Sequence, residues 1–458
     1  MNLFAAVGLM AGLFALSFYL GRRSVAIGFL GTVAIGYFYG IVRANYENVF
    51  IYLAFDFTAV GYFFALLITR KDILVRYKLR KIMPWLVILA GWPTLLLLAP
   101  TQPLLVQLVG LRGHIFFLPF IAAGAMLDSK APRTIALGLV VLNSLALGFA
   151  LLEIQFGVPS FYPYNAVDQI IYRSTDVFVG GVGTFRIPAI FASSALYGEN
   201  MAAALPFLVG ALSQERKRSS RRFLILGITA SVIGVFLSAS RSAVVFLLAI
   251  AAGIATSGRV RSLPKFSWIA MIGFVSLVVV SSSRLQRFLT LSDTKYIKTR
   301  IAGSVNEGFL NLMVDYPMGN GLGGGGTNMP YFLASEVRNP VLIENEYGRI
   351  LAEQGLPGLA LWLTFVMWIL TRPLPRRDER WYMGRWLARV AFGFSFATAP
   401  LGTGLLTAIP GTATLLLFAG WTGAPLVRQL KRSSAKASHL SDEIEAMNLQ
   451  GSFYTDTN

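Results

Sequence analysis

The chain has 458 residues, of which 55% are hydrophobic and only 14% are charged, and its formal net charge is +18. This composition excludes a large water-soluble domain, because apolar stretches near the length of about 20 residues that a helix needs to cross a bilayer take up most of the chain. With no cysteine and only two histidines, disulfides, thiolate metal sites and a histidine-rich metal centre are excluded as well.

The apolar stretches predict an all-α integral membrane protein with about 12–13 transmembrane helices, because irregular backbone cannot face lipid. The first stretch lacks a charged n-region and a second stretch follows at once, which indicates a retained helix and not a cleaved signal peptide. The predicted spans are 3–20, 24–41, 49–69, 82–100, 113–127, 133–152, 188–212, 223–238, 242–257, 266–283, 347–371, 386–402 and 405–425.

The basic residues predict the orientation of these spans. If successive loops alternate between the two faces, the loops of one face hold 28 of the 40 lysines and arginines. Since basic loops are retained in the cytoplasm, that face is the inner one. The prediction is a polytopic region over 1–427, with extracytoplasmic loops at 153–187 and 284–345, and a disordered cytoplasmic tail at 428–458. The late, large outer loop has no counterpart in the first half, which argues against an inverted-repeat transporter.

The few positive charges on the outer face are candidate anion ligands. Arg112, Arg186 and Arg241 lie at predicted outer helix ends, and a cluster follows over 284–300 that ends at Arg300. Each arginine alone could simply extend to the membrane interface. Together they favour a site for a polyanion, because guanidinium groups match phosphate oxygens bidentately.

The sequence Ser-Ala-Ser-Arg-Ser at 238–242 falls between two predicted spans. A serine such as Ser240 can cap the second helix and leave free N–H groups that attract an anion next to Arg241. The alternative is a capped tight turn with no further role.

The glycine-rich stretch 319–326 lacks the Gly-Lys-Ser/Thr ending of a P-loop. It indicates either backbone that must pass close to another group or a flexible linker.

Asn339 and Pro340 predict a helix start, with the asparagine as cap and proline in the first turn. On this helix Glu346 and Glu353 are spaced to pair with Arg349, which predicts a structural ion network. Glu344 has no cation at that spacing and shares a stripe with Tyr347, so it is the candidate general base. The sequence Gly-Leu-Pro-Gly at 355–358 predicts a kink where the helix enters the membrane.

At these residues the chain resembles the O-antigen ligase and polymerase superfamily, bacterial membrane glycosyltransferases that use polyprenyl-pyrophosphate-linked saccharides. The resemblance covers roughly 180–370 by motif and rests on the serine-rich turn at 238–242, Tyr-Pro-Met-Gly-Asn-Gly-Leu-Gly at 316–323, and Glu-Asn-Glu-Tyr-Gly-Arg-Ile-Leu-Ala-Glu-Gln-Gly at 344–355. It implies catalysis without a metal or other cofactor at the outer face of the bacterial cytoplasmic membrane.

The family's ligases have a histidine where this chain has Glu344, which favours a polymerase-like reaction. By resemblance Glu344 is the base, Arg241 and Arg300 bind the pyrophosphate, Arg112 and Arg186 support them, and Ser240, Tyr347 and Arg349 assist. The expected partners are membrane lipid, the lipid-linked saccharide and other polysaccharide assembly proteins, with no nucleic acid. The alternatives are a ligase with a lipid or protein acceptor, a transporter of a lipid-linked or anionic solute, and a non-enzymatic subunit of an export assembly.

Overall fold

A computed structural model of the chain describes residues 3–46, 48–69, 73–165, 171–172, 177–179, 182–257, 298, 309–326, 329–330, 333–341 and 345–425. The predicted span 266–283, the candidate base Glu344, the candidate ligand Arg300 and the predicted tail 428–458 lie outside these residues.

The described residues are mostly α-helical. The helices are α1 Leu3–Arg23, α2 Val25–Asn45, α3 Val49–Tyr52, α4 Ala54–Thr69, α5 Ile73–Leu96, α6 Leu104–Ile115, α7 Pro119–Met126, α8 Ala131–Phe156, α9 Ser194–Ala203, α10 Leu205–Leu212, α11 Arg218–Leu237, α12 Arg241–Thr256, α13 Phe309–Asp315, α14 Glu346–Thr371, α15 Tyr382–Ala397 and α16 Gly411–Gly423. Short 3-10 turns occupy Val158–Ser160, Ala334–Glu336 and Ala399–Leu401. A small antiparallel hairpin pairs β1, Val177–Val179, with β2, Val182–Thr184.

The chain is an all-α, multi-pass membrane protein. Within the described ranges, eight helical spans are long and apolar enough to cross a membrane. These are Phe4–Arg23, Val25–Asn45, Phe50–Ile68, Leu104–Met126, Ala131–Phe156, Ser194–Leu212, Arg218–Leu237 and Glu346–Thr371. The shorter helix α12 is apolar as well.

Four predicted span starts are wrong. The span expected from 82 lies in helix α5, which begins at Ile73, because basic residues lower the hydropathy of its first turns. The span expected from 113 begins at Leu104, because the polar residues Gln107 and Arg112 disguise an apolar helix that follows Pro103. The span expected from 188 begins at Ser194, where the Ser193 side chain caps the helix. The span expected from 405 begins at Gly411, since the preceding proline has no backbone N–H to donate inside a helix.

The bundle is held by close helix crossings and by buried hydrogen bonds between the middle parts of helices. Helix α7 crosses α16 at Gly124 and Gly420, where a Cβ would overlap the opposing backbone. Small residues of this kind let membrane helices approach closely. The Tyr37 hydroxyl donates to Asn143 Oδ1 at 2.8 Å, and the Asn143 amide donates to Ser231 Oγ at 2.7 Å, which joins α2, α8 and α11.

Helix α14 begins later than the sequence predicts. Asn345 is its cap, with Oδ1 accepting from the Gly348 N–H at 3.0 Å, whereas Asn339 has a left-handed backbone with φ of 47°. The expectation that Asn339 caps this helix is therefore wrong, because the better-placed asparagine lies next to Glu346. The predicted kink is confirmed: Gly355 has φ of 69° and ψ of −173° inside the helix.

Candidate functional site

The segment 398–410 between α15 and α16 organises one end of the bundle. Its Gly404 N–H donates to Glu346 Oε2 at 2.8 Å, and its Gly402 carbonyl accepts from the Glu346 N–H at 3.0 Å. Thr407 lies against Gly113 of α6. The first turn of α14 and the last turn of α6 therefore meet at this segment.

Four buried ionisable side chains connect these two helices. Arg349 donates to Glu346 Oε1 from Nη2 at 2.6 Å and to Glu353 Oε2 from Nη1 at 3.3 Å. His114 Nε2 lies 2.6 Å from the same Glu353 oxygen. All four side chains are between 0 and 3% exposed. We call Glu346, Arg349, Glu353 and His114 the α14 ion network.

The ring of His114 is held from both sides. The Gln354 amide Nε2 donates to Nδ1 at 2.7 Å, so Nδ1 is the acceptor and Nε2–H donates to Glu353. The Gln354 carbonyl in turn accepts from Trp92 Nε1 at 3.0 Å. Sequence reasoning used His114 only to exclude a metal site and missed this contact, because residues 114 and 353 lie on separate helices.

The glycine-rich stretch packs directly on the α14 ion network. The Gly323 N–H donates to the Glu353 carboxylate, and the Asn320 N–H donates to the Ala352 carbonyl at 2.6 Å. A Cβ at Gly110 of α6 would overlap the Gly323 backbone, which has φ of 78°. The prediction that the backbone of this stretch passes close to another group is confirmed, and the alternative prediction of a flexible linker is wrong.

The geometry assigns Glu346 and Glu353 a structural role. Their predicted pairing with Arg349 is confirmed, and both carboxylates are occupied by cations and backbone N–H groups. A buried network is favourable only when its members satisfy one another, as these do. The network therefore works as a rigid support for the start of α14.

Arg112 is also in an ion pair, which the sequence did not predict. Its Nε and Nη2 donate to the two Asp56 oxygens at 2.7 and 2.5 Å. The Arg112 side chain is 35% exposed, whereas that of Asp56 is 12% exposed. Arg43 lies beside this pair: its guanidinium hydrogen-bonds Tyr39, which also interacts with Arg112 and Asp56. The lone acid in the predicted span 49–69 was the available sequence signal for Asp56.

The serine-rich turn has the predicted capping role. Ser240 is the N-cap of α12, and its Oγ accepts from the Ala243 N–H at 3.5 Å. Arg241 is the first residue of the helix, and Ser242 Oγ donates to Glu199 Oε1 of α9 at 2.9 Å.

Arg186 belongs to a segment that two buried side chains hold against the bundle. Glu153 Oε2 accepts from the Ala189 N–H at 2.9 Å. The Tyr162 hydroxyl donates to the carbonyls of Ala189 and Phe191 at 2.6 and 2.9 Å. Arg186 itself is partly buried, and among the described residues its Nε has no hydrogen-bond partner.

The structure thus brings several predicted residues into defined contacts. Arg349 is the centre of the α14 ion network, and Tyr347, on the same turn, donates its hydroxyl to the Phe396 carbonyl at 2.6 Å. In the part of the chain that the structure describes, no group of three or more histidine, aspartate or glutamate residues is placed to hold a metal ion.

No protein-family model matches the chain, and no curated protein matches it either.

Proposed function

We propose that the chain is a glycosyltransferase that polymerises saccharide from a polyprenyl-pyrophosphate-linked donor at the outer face of a bacterial cytoplasmic membrane. The observation that carries the proposal is the α14 ion network, which fixes the helix turn immediately after Glu344 in the sequence. The network binds three other segments, which are α6, the glycine-rich stretch and the segment 398–410. A base at position 344 would therefore directly precede a turn that is firmly held. The orientation, with the C-terminus in the cytoplasm, follows from the basic loops.

In this proposal Glu344 accepts the proton of an acceptor sugar hydroxyl. The hydroxyl oxygen then attacks the anomeric carbon of the donor saccharide. The bond from that carbon to the pyrophosphate oxygen breaks, and polyprenyl pyrophosphate leaves with the electron pair. A single displacement of this kind inverts the anomeric centre, so product stereochemistry tests the step.

The cations of the outer face stabilise the leaving group. Arg241 and Arg300 bind the pyrophosphate, because donors aimed at developing negative charge lower the barrier most effectively. Arg186 and Arg112 support them, with Ser240 holding the helix end that carries Arg241. Arg112 already balances Asp56, so its contribution to binding an added anion is reduced.

Reconstitution with a polyprenyl-pyrophosphate oligosaccharide tests the proposal, with the product resolved as a polymer ladder. The unaltered protein should extend the glycan, and Glu344→Gln should not. Glu336→Gln is the matched control, because Glu336 is an exposed carboxylate shortly before Glu344 in the sequence. Equal ladders from all three proteins would remove Glu344 from the mechanism.

The arginines are tested in the same assay. Arg241→Gln should lower the rate by at least about tenfold, since a charge-assisted hydrogen bond contributes about 1.5–3 kcal/mol. Arg338→Gln is the control, since Arg338 is an exposed arginine in the segment 333–341. A ligase would instead join one glycan to a lipid or protein acceptor without a ladder, which separates the two reactions.

A transporter of a lipid-linked or anionic solute is the second candidate function, because several spans are interrupted helices. The spans Leu104–Met126 and Ser194–Leu212 are each divided into two helices, and α14 is kinked at Gly355. Transporters use broken helices of this kind to bind solutes at mid-depth. Solute flux into vesicles that is unchanged by Glu344→Gln, without any glycan extension, would favour the transporter.

A further inference from the structure

A second basic cluster lies at the end of the bundle opposite the candidate site. Arg372 directly follows α14, while Arg385 and Arg389 lie one turn apart on α15. Six arginines and two acidic residues occupy the sequence between 372 and 389. Because α14 has 26 residues, up to about 39 Å of helix separates this cluster from the start of α14.

The charges of this cluster are not balanced among the described residues. Arg385 and Arg389 repel each other, and Arg372 also repels Arg389. Nη1 of Arg385 and both Nε and Nη2 of Arg389 are buried without a hydrogen-bond partner in the described part of the chain. The Glu379 carboxylate attracts Arg385, which leaves an excess of positive charge.

Arg385 also lies over the Trp421 ring at 5.8 Å, but a ring does not satisfy a buried N–H, and buried positive charge with unsatisfied donors is costly, so the cluster is suited to bind an anion. Within the described residues, the Arg389 guanidinium makes one hydrogen bond, from Nη1 to the Leu370 carbonyl at 3.3 Å. Arg385 and Arg389 are each partly exposed as whole residues, so the cluster borders the surface of the protein. Phosphate is the anion whose oxygens arginine binds best, through paired N–H donors.

Tryptophan side chains surround the cluster. Arg372 lies over the Trp368 ring at 4.7 Å, and Trp368 packs on Trp85 at 5.7 Å between ring centroids. Trp386 Nε1 donates to the Gly253 carbonyl at 2.7 Å. Tryptophan is enriched where a membrane meets water, at the depth of lipid headgroups.

We propose that Arg372, Arg385 and Arg389 form a binding site for a phosphate group, supplied by the headgroup of an anionic phospholipid. The lipid phosphate bridges the end of α14 and the start of α15, and its charge removes the repulsion between the arginines. This site is independent of the proposed glycosyl transfer and of the residues that carry it.

Native mass spectrometry of the purified full-length protein tests the site, with phosphatidylglycerol and phosphatidylcholine added in neutral detergent. The unaltered protein should bind phosphatidylglycerol with a Kd at least about tenfold lower than Arg385→Gln/Arg389→Gln does. The control is Arg221→Gln/Arg222→Gln, which removes the same charge from exposed positions at the same end of the bundle. The control should bind phosphatidylglycerol as the unaltered protein does.

Thermal unfolding distinguishes the source of the phosphate and verifies folding. Phosphatidylglycerol should raise the Tm of the unaltered protein and of the control, and inorganic phosphate at millimolar concentration should not. A rise in Tm on addition of inorganic phosphate without lipid would contradict the proposal that a lipid headgroup supplies the phosphate. Because the substitutions remove repelling charges, Arg385→Gln/Arg389→Gln without lipid should have a Tm no lower than the unaltered protein.

Equal lipid binding by all three proteins would overturn the site itself. If the double variant does not fold, Arg389→Gln provides the same comparison with two cations kept, and a partial loss of lipid binding is then expected. Unchanged binding in Arg389→Gln would overturn the proposal as well.

Discussion

His114 and Glu353 are hydrogen-bonded across 239 residues of sequence, with 2.6 Å between Nε2 and Oε2. The bond joins the last turn of α6 to the second turn of α14, and both side chains are buried. Glu353 also accepts from Arg349 and from the Gly323 N–H. One carboxylate thus fixes two helices and the glycine-rich stretch.

Replacing this carboxylate should strongly destabilise the protein. Glu353→Ala leaves Arg349 with a single partner and His114 without an acceptor, so we expect the free energy of unfolding to fall by about 3–5 kcal/mol. Denaturant unfolding in detergent measures the change. Glu336→Ala, at an exposed position, should change it by less than about 0.5 kcal/mol. Similar losses in both variants would show that the network does not stabilise the fold.

The contact between α6 and the glycine-rich stretch leaves no room for a side chain. In Gly110→Ala the new Cβ would lie 2.6 Å from the Leu322 carbonyl carbon and closer still to the Gly323 nitrogen. We expect a loss of about 1–3 kcal/mol in unfolding free energy from overpacking. Gly91→Ala on α5 is the matched control, because nothing lies within 4 Å of its Cβ. There we expect no loss or a gain of up to about 1 kcal/mol, since alanine favours a helix.

The N-cap of α14 should contribute measurably to the free energy of unfolding. Asn345 is 2% exposed and its Oδ1 accepts from the Gly348 N–H. Asn345→Ala removes that acceptor and should lower the unfolding free energy by about 0.5–2 kcal/mol, whereas Asn345→Ser keeps a capping oxygen and should lose less. A serine variant as unstable as the alanine variant would contradict the capping role.

The ion pair between Glu215, in the loop between two spans, and Arg133, near the start of the span Ala131–Phe156, should give stability that depends on pH. The Arg133 guanidinium, with the Lys217 N–H, holds the pKa of Glu215 below its ordinary value. A carboxyl with a lowered folded-state pKa stabilises the protein above the unfolded pKa, near 4.3, and loses this contribution as the pH falls through the folded value.

Glu215→Gln should therefore be less stable than the unaltered protein at pH 7, by at most about 1 kcal/mol because Arg133 is half exposed. The difference should shrink as the pH is lowered from 5 toward 3. Unfolding of both proteins in the same detergent over this range measures it. A difference that stays constant with pH would assign the effect to packing instead of charge.

The membrane fold could be predicted from the sequence because hydropathy is a local property. Uninterrupted apolar stretches such as Ala131–Phe156 can be recognised as membrane spans from the sequence alone. The kink at Gly355 and the cap at Ser240 follow from the types of the neighbouring residues. Helix starts were harder, since Gln107 and Arg112 lower the apparent hydropathy of α6. The pairing of Glu346 and Glu353 with Arg349 was predictable because all three lie within two turns of one helix.

The chain's residue order by itself determined that this is a multi-pass helical membrane protein with cations near its helix ends. Only the tertiary structure decided which contacts form between separate helices: Arg112 of α6 pairs with Asp56 of α4, and His114 of α6 contacts Glu353 of α14. The physical reason is that ion pairing acts over a few ångströms between separate helices, whereas hydropathy and helix capping act between residues that are close in sequence.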